Sequence, residues 1–205
     1  MGLRSWIYDR ALLPITTSWY REVLERVPRH SRLLDIGIGT GGALANNADL
    51  IKERDLRVVG IDIDPDYVVR ARARLAEVGL QDHVRVELVS VYDFAETGFD
   101  AAYFSASFML LPDSAAALRH VLGLLTQEGR VYFTQTFQDR RSPVLERVKP
   151  VLKTLTTIDF GNVTYEPDFL ATLDRGGVDV LEHKTLTAQR TRSYRLVVAH
   201  ARAAA

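Results

Sequence analysis

Between a short run of β-formers at 32–36 and an apolar, helix-forming stretch at 43–51, the chain carries Asp35-Ile36-Gly37-Ile38-Gly39-Thr40-Gly41-Gly42. Glycines at alternate positions allow a sharp strand-to-helix turn and let a ligand lie against bare backbone. The N-terminus of the following helix then presents unpaired N–H groups to a polar or anionic group. A chain that uses its first strand and helix this way is committed to a crossover connection. Sheets built from such crossovers are parallel and covered by helices.

The rest of the pattern agrees. A second strand at 57–63 runs into Asp64-Pro65, a helix cap followed by a first-turn proline, and that helix stops at Gly79. Strands follow at 84–89 and 99–104. A helix opens at Pro112-Asp113-Ser114, shows an apolar stripe of Leu118, Val121, Leu122 and Leu125, and ends near Gly129; a fifth strand spans 130–137. After Phe137 the rhythm changes. Leu145, Val148, Val151, Leu152 and Leu155 repeat at helical spacing from Ser142-Pro143, with Pro150 kinking the run, and a short helix covers 167–173. Strands at 178–187 and 194–200 are joined by too few residues to cross over, so they form an antiparallel hairpin. The expected fold is α/β, a three-layer, doubly wound, seven-stranded and mostly parallel sheet closed by that hairpin. Residues 1–30 read as an N-terminal helical segment, and 31–205 as one domain with an insertion at about 138–165.

Composition narrows the function classes. The chain has 205 residues, 47% of them hydrophobic and 25% charged, which is enough to bury a core and excludes disorder. Its 26 Lys and Arg balance 26 Asp and Glu, so no global field favours nucleic acid or anionic lipid. With no cysteine, disulfide scaffolds, thiolate zinc sites and thiol nucleophiles are excluded, and a cytoplasmic location is expected. No apolar run is long enough to span a membrane, and the first residues do not read as a secretory leader.

The glycine turn fits two ligand classes. Gly37-x-Gly39-x-x-Gly42, with Asp62 at the end of the next strand, matches the dinucleotide fingerprint, in which the acid holds ribose hydroxyls. Three features favour another adenosine cofactor over NAD(P). Asp35 places a carboxylate beside the loop, which suits an ammonium group and repels a pyrophosphate. No tyrosine is followed four residues later by lysine, so the proton relay of short-chain dehydrogenases is missing. The closing hairpin also departs from an all-parallel dinucleotide sheet.

Taken in order, Leu33-Leu34-Asp35-Ile36-Gly37-Ile38-Gly39-Thr40-Gly41, Val59-Gly60-Ile61-Asp62-Ile63-Asp64-Pro65, Val89-Ser90-Val91-Tyr92-Asp93-Phe94 and Phe99-Asp100 make the chain resemble a class I S-adenosylmethionine-dependent methyltransferase. The resemblance implies S-adenosyl-L-methionine as cofactor and S-adenosyl-L-homocysteine as product. It assigns Gly37, Gly39 and Gly41 to the methionine part, with Asp35 near its amino group, Asp62 to both ribose hydroxyls, and Ile63 to the adenine face. Ser90 takes the adenine-edge position where the family more often has Asp, with the Val91 amide next; Asp93 is the rival for that place. The expected acceptor is a small or lipid-like molecule, methylated directly and without a metal. Nucleic acid is not expected, and the Asn-Pro-Pro-Tyr type signature of amino-group and DNA-adenine methylation is absent. An NAD(P)-dependent oxidoreductase and a non-catalytic cofactor-binding module are the competing readings.

No catalytic residue is identified by sequence; the segments meeting the acceptor are 105–109 and 138–140. Trp6, Tyr8, Trp19 and Tyr20 read as packing on the domain in preference to an acceptor lid. Arg70, Arg72 and Arg74 read as a solvated helix face, and Arg190, Arg192 and Arg195 flank the hairpin turn. The five histidines show no ligand spacing. The apolar stripe of the insertion suits an acceptor wall, core packing or a homodimer contact equally.

Overall fold

The computed structural model describes residues 13–138 and 164–203. Helix α1 (Leu13–Leu24) leads into β1 (Arg32–Ile36), the short helices α2 (Gly42–Ala45) and α3 (Ala48–Glu53), β2 (Arg57–Asp62), α4 (Pro65–Glu77), β3 (Val84–Leu88) and β4 (Phe99–Ser105). A 3₁₀ turn (Phe108–Leu110) and α5 (Ser114–Leu122) precede β5 (Leu125–Gln138); α6 (Glu166–Gly176), β6 (Val178–Ala188) and β7 (Arg192–Ala201) complete the described chain. The seven strands are ordered β3-β2-β1-β4-β5-β7-β6. The first five run parallel, while β7 is antiparallel to both β5 and β6. This is the doubly wound sheet with a closing hairpin that the sequence predicts.

Two apolar layers follow from the alternation of side chains along the strands. On one face Leu33, Val58, Val86, Tyr103, Tyr132 and Leu196 pack under α1 to α4; on the other Leu34, Ile61, Phe104, Phe133 and Val197 pack under α5 and α6. Helix α4 shows how local sequence sets an element. The Asp64 side chain accepts hydrogen bonds from the amides of Asp66 (2.9 Å) and Tyr67 (3.2 Å), Pro65 starts the helix, and Val68, Ala71 and Leu75 form its buried stripe. Each large aliphatic side chain buried this way contributes about 1.5–3 kcal/mol.

Two expected boundaries move. The single helix expected over 43–51 is broken at Asn46-Asn47, because Asn47 Nδ2 bonds back to the Ala43 carbonyl (2.8 Å) and across to that of Thr17 (3.1 Å). These bonds offer the backbone an alternative to continuing the helix. The helix expected to reach Gly129 ends at Leu122, with Gly123 as its C-cap. The Leu124 carbonyl there accepts from the amides of Gly98 and Phe99, and Leu125 already pairs with Phe99 on β4. The chain then folds over itself, and a side chain on Gly129 would lie 2.7 Å from Leu125 Cβ. The helical run expected at 142–155, most of the insertion, and Trp6 and Tyr8 lie outside the described residues.

Trp19 and Tyr20 are buried (5% and 3% exposed), packing α1 onto the sheet as the sequence reading prefers. Trp19 meets Tyr194 at 5.5 Å between ring centroids, and Tyr20 meets Tyr103 edge-on at 4.9 Å. Just past α1, Arg26 forms a bidentate pair with Glu182 of β6 (3.1 and 3.2 Å), tying this region to the hairpin. Arg195 pairs with Glu166 at 2.7 Å over the Phe137 ring, and Arg192 lies against Tyr194. No helix among the described residues is long and apolar enough to cross a membrane.

Candidate cofactor site

The C-terminal ends of β1, β2, β3 and β4 share one edge of the sheet, the edge at which doubly wound folds bind ligands. The loop after β1 is pinned to β2 by two amides, Gly37 N (2.9 Å) and Ile38 N (3.2 Å), donating to the Ile61 carbonyl. The Ile38 side chain is buried over Gly60, where an added Cβ would come 2.3 Å from Ile38 Cδ1. Asp62 completes the closure. Its Oδ2 accepts from the Gly39 amide at 2.9 Å and its Oδ1 from the Asp64 amide at 3.0 Å. An ionised carboxylate offers about four acceptor positions, so two remain for a ligand.

The loop glycines divide their roles. Gly37 (φ 80°) faces Ser107, whose Cβ would sit 2.8 Å from an added Cβ, and Gly41 backs onto Ala71 of α4 at 3.1 Å. Gly39 (φ 60°) has nothing within 4 Å of its missing side chain, so it is the open face of the turn. A Gly37→Ala variant combines an unfavourable backbone conformation with a steric conflict. Destabilisation of about 2 kcal/mol is expected, and chemical denaturation of the cofactor-free protein measures it.

Around the loop, Ile63 is 74% exposed and Leu88, register partner of Asp62, is 53% exposed. Bare aliphatic groups beside a polar carboxylate suit a flat ring that carries hydroxyls on its sugar. The Val89 amide donates to the Asp62 carbonyl (3.0 Å), which brings the next residues to the same edge. Ser90 is half-buried and Val91 buried, while Asp93 is exposed; the Asp93 and Phe94 amides close a turn on the Ser90 carbonyl. The Tyr92 amide reaches Ser90 Oγ at 3.3 Å. The Val91 amide donates to no described residue.

Asp35 stands apart from the others. It is fully buried beneath the loop, and the Tyr20 hydroxyl donates to its carboxylate at 2.9 Å to Oδ2 and 3.1 Å to Oδ1. Burial pushes its carboxyl up to about 7, the Tyr20 hydrogen bond opposes that, and the nearby Asp62 charge adds to it. In this position 0% of its surface is open to contact, so it acts on a neighbouring charge only through its field.

Sequence reasoning missed two neighbours of the loop. Arg74 is half-buried, and its Nη1 lies 3.5 Å from Thr40 Oγ1 and 2.4 Å from where a Gly42 side chain would begin, so it covers the turn and is not part of a solvated face. Ser107 Oγ donates to the Ile36 carbonyl at 2.5 Å, tying the segment after β4 to the end of β1. Within that segment Ala106 has φ 56°, a strained conformation for alanine, held by its amide donating to the Thr134 carbonyl at 2.8 Å. Nearby, the Tyr103 hydroxyl pairs with Thr134 Oγ1 at 2.7 Å, and burial raises it well above the ordinary phenol range. Among the described residues, no three His, Cys, Asp or Glu side chains are grouped to hold a metal.

Comparison with known proteins shows what this chain is similar to. A model described as a methyltransferase domain matches residues 34–131, from β1 into β5. The S-adenosylmethionine-dependent methyltransferase UmaA of Mycobacterium tuberculosis is 30% identical over 111 residues, covering 47% of this chain and 38% of that protein. A phosphatidylethanolamine N-methyltransferase of Cereibacter sphaeroides is 23% identical over 141 residues, 67% of each chain. The chain thus spans well under half the length of the mycobacterial relative. In fold, the [4+2]-cyclase SpnF superposes with a TM-score of 0.73 at 16% identity, over 96% of this chain and 84% of that one. The matched segment, just under half of the chain, carries the glycine loop and Asp62, so that segment is similar to methyltransferase domains, and the whole sheet shares its fold with solved structures of such enzymes.

Proposed function

We propose that the protein transfers the methyl group of S-adenosyl-L-methionine to a small-molecule or lipid-like acceptor. The observation that carries this reading is the Asp62 carboxylate, held by the Gly39 and Asp64 amides at the open face of the loop. In that position it has acceptor capacity left for the two ribose hydroxyls. The residues fit the cofactor throughout. The bare backbone at Gly39 takes the methionine part, the loop around it being shaped by Gly37 and Gly41; Ile63 and Leu88 flank the adenine, and Ser90 with the Val91 amide meets its edge.

When bound, the cofactor supplies an electrophilic methyl group on a sulfonium. The chain's own part is to orient the acceptor and exclude water, and alignment of this kind can contribute on the order of 7–11 kcal/mol. The segment 105–109 and the end of β5 border the place where an acceptor would approach. Tyr103 is too weak an acid to serve as a base through its phenolate, which suits transfer governed by positioning. The acceptor class rests on the near-zero charge balance and on the relative whose name specifies phosphatidylethanolamine.

Cytoplasmic location and action as a homodimer belong to the same reading. Incubation with methyl-labelled cofactor and a cell extract tests it. Label in the small-molecule or lipid fraction is expected; label confined to protein or nucleic acid, or no transfer at all, contradicts it.

A further inference from the structure

We propose that Tyr20 is a positioning residue for the cofactor: by donating a hydrogen bond to the Asp35 carboxyl, it couples the docking of α1 to binding at the glycine loop. This rests on the cofactor reading above and extends it to a residue of α1, outside the loop itself.

The geometry supplies the link. Asp35 sits on β1 directly before the loop, has no exposed surface, and receives both contacts of the Tyr20 hydroxyl. Tyr20 comes from α1, an element that precedes the matched methyltransferase domain in the chain, and it is fixed by its edge-on contact with Tyr103. Among the described residues, the titratable groups turned toward Asp35 are Tyr20 from α1, Asp62 from β2 and Tyr103 from β4, while α2 contributes only Gly42, Ala43, Leu44 and Ala45. No cation among them offsets the buried carboxylate.

The consequence is a thermodynamic cycle. Without a ligand, burial holds the Asp35 carboxyl protonated up to about pH 7. A ligand ammonium nearby favours the ionised form, so binding releases a proton and strengthens with rising pH. A hydrogen bond from Tyr20 to the ionised carboxylate is stronger than one to the neutral acid. Cofactor binding therefore tightens the hold on α1, and a docked α1 favours the ionised Asp35 that the cofactor requires. Linkage makes the two effects equal.

Titration of the full chain with S-adenosylhomocysteine between pH 5.5 and 8.5 tests the proposal, using Tyr20→Phe, Asp35→Asn and the double variant. Phenylalanine keeps the ring packing against Tyr103. Tyr20→Phe is expected to weaken binding about 10-fold at pH 7 and to move the pH midpoint of binding upward. In the Asp35→Asn background the same change has little effect. Because the chain has two tryptophans, a Trp6→Phe background leaves Trp19 of α1 as the sole reporter; its emission follows ligand addition with Tyr20 present and ceases to follow it without. Unchanged affinity and midpoint in Tyr20→Phe overturn the proposal, and so does a loss that is independent of pH and persists beside Asp35→Asn. A wild-type chain that binds no S-adenosylhomocysteine at any pH overturns this proposal and the cofactor reading together.

Discussion

An Asp62→Ala variant is expected to bind S-adenosylhomocysteine at least about 100-fold more weakly than the wild type, which corresponds to about 2.7 kcal/mol. Two effects combine. The carboxylate is the proposed acceptor for both ribose hydroxyls, and hydrogen bonds to a charged group are each worth about 1.5–3 kcal/mol. It also receives the Gly39 and Asp64 amides, so its removal unties the loop from β2 at the glycine whose face is open. The anchoring of Gly37 and Ile38 to the Ile61 carbonyl does not involve the side chain, so the fold should survive. Equilibrium titration measures the loss, and wild-type affinity in this variant would show that Asp62 does not hold the ligand.

The second large effect concerns stability without ligand. Asp35 titrates near 3.8 when solvated and near 7 in the folded chain, so between those values the folded state holds more protons than the unfolded one. Stability then falls as pH rises from about 4 to 7 and levels off above, the total loss being on the order of 4 kcal/mol. Asparagine preserves shape and removes the charge. Asp35→Asn should match the wild type near pH 4 and exceed it by a margin of that order at pH 8, as read by urea denaturation of the cofactor-free proteins. A margin that is the same at both pH values would contradict the burial argument. A wild-type residue that costs stability unless a cation lies nearby is the kind of strain functional sites retain.

The parts of the molecule that local chemistry determines were legible in the sequence. Asp64-Pro65 marks the start of α4, the glycine turn follows β1, and the short link before Arg192 forces a hairpin, because each depends on a few adjacent residues. The break at Asn46-Asn47 was not legible, since it depends on Thr17 as well as on Ala43. Likewise Leu125 continues the apolar spacing of the helix before it, and only its pairing with Phe99 on β4 turns it into strand.

The site shows the same division. Asp62 and the glycines could be found from spacing, whereas the Tyr20 hydroxyl on Asp35 joins residues 15 apart through a layer of packing, and Arg74 reaches Thr40 over a separation of 34. Tyr20 belongs to an apolar stripe with Val23, Leu24 and Val27, and nothing in that pattern distinguishes a phenol with a polar partner from a ring that only packs. Ser90 and Asp93, close in sequence, differ in exposure because the turn on the Ser90 carbonyl keeps one at the edge and leaves the other in solvent.

In the proposed function, the loop after β1 and Asp62 form a site for S-adenosylmethionine and not for a dinucleotide. Parallel equilibrium titrations of the wild-type chain with S-adenosylhomocysteine and NADH test it most directly. Saturable binding of S-adenosylhomocysteine is expected, with much weaker binding of NADH, whose pyrophosphate would meet the Asp62 carboxylate beside the loop. Tighter binding of NADH would contradict it.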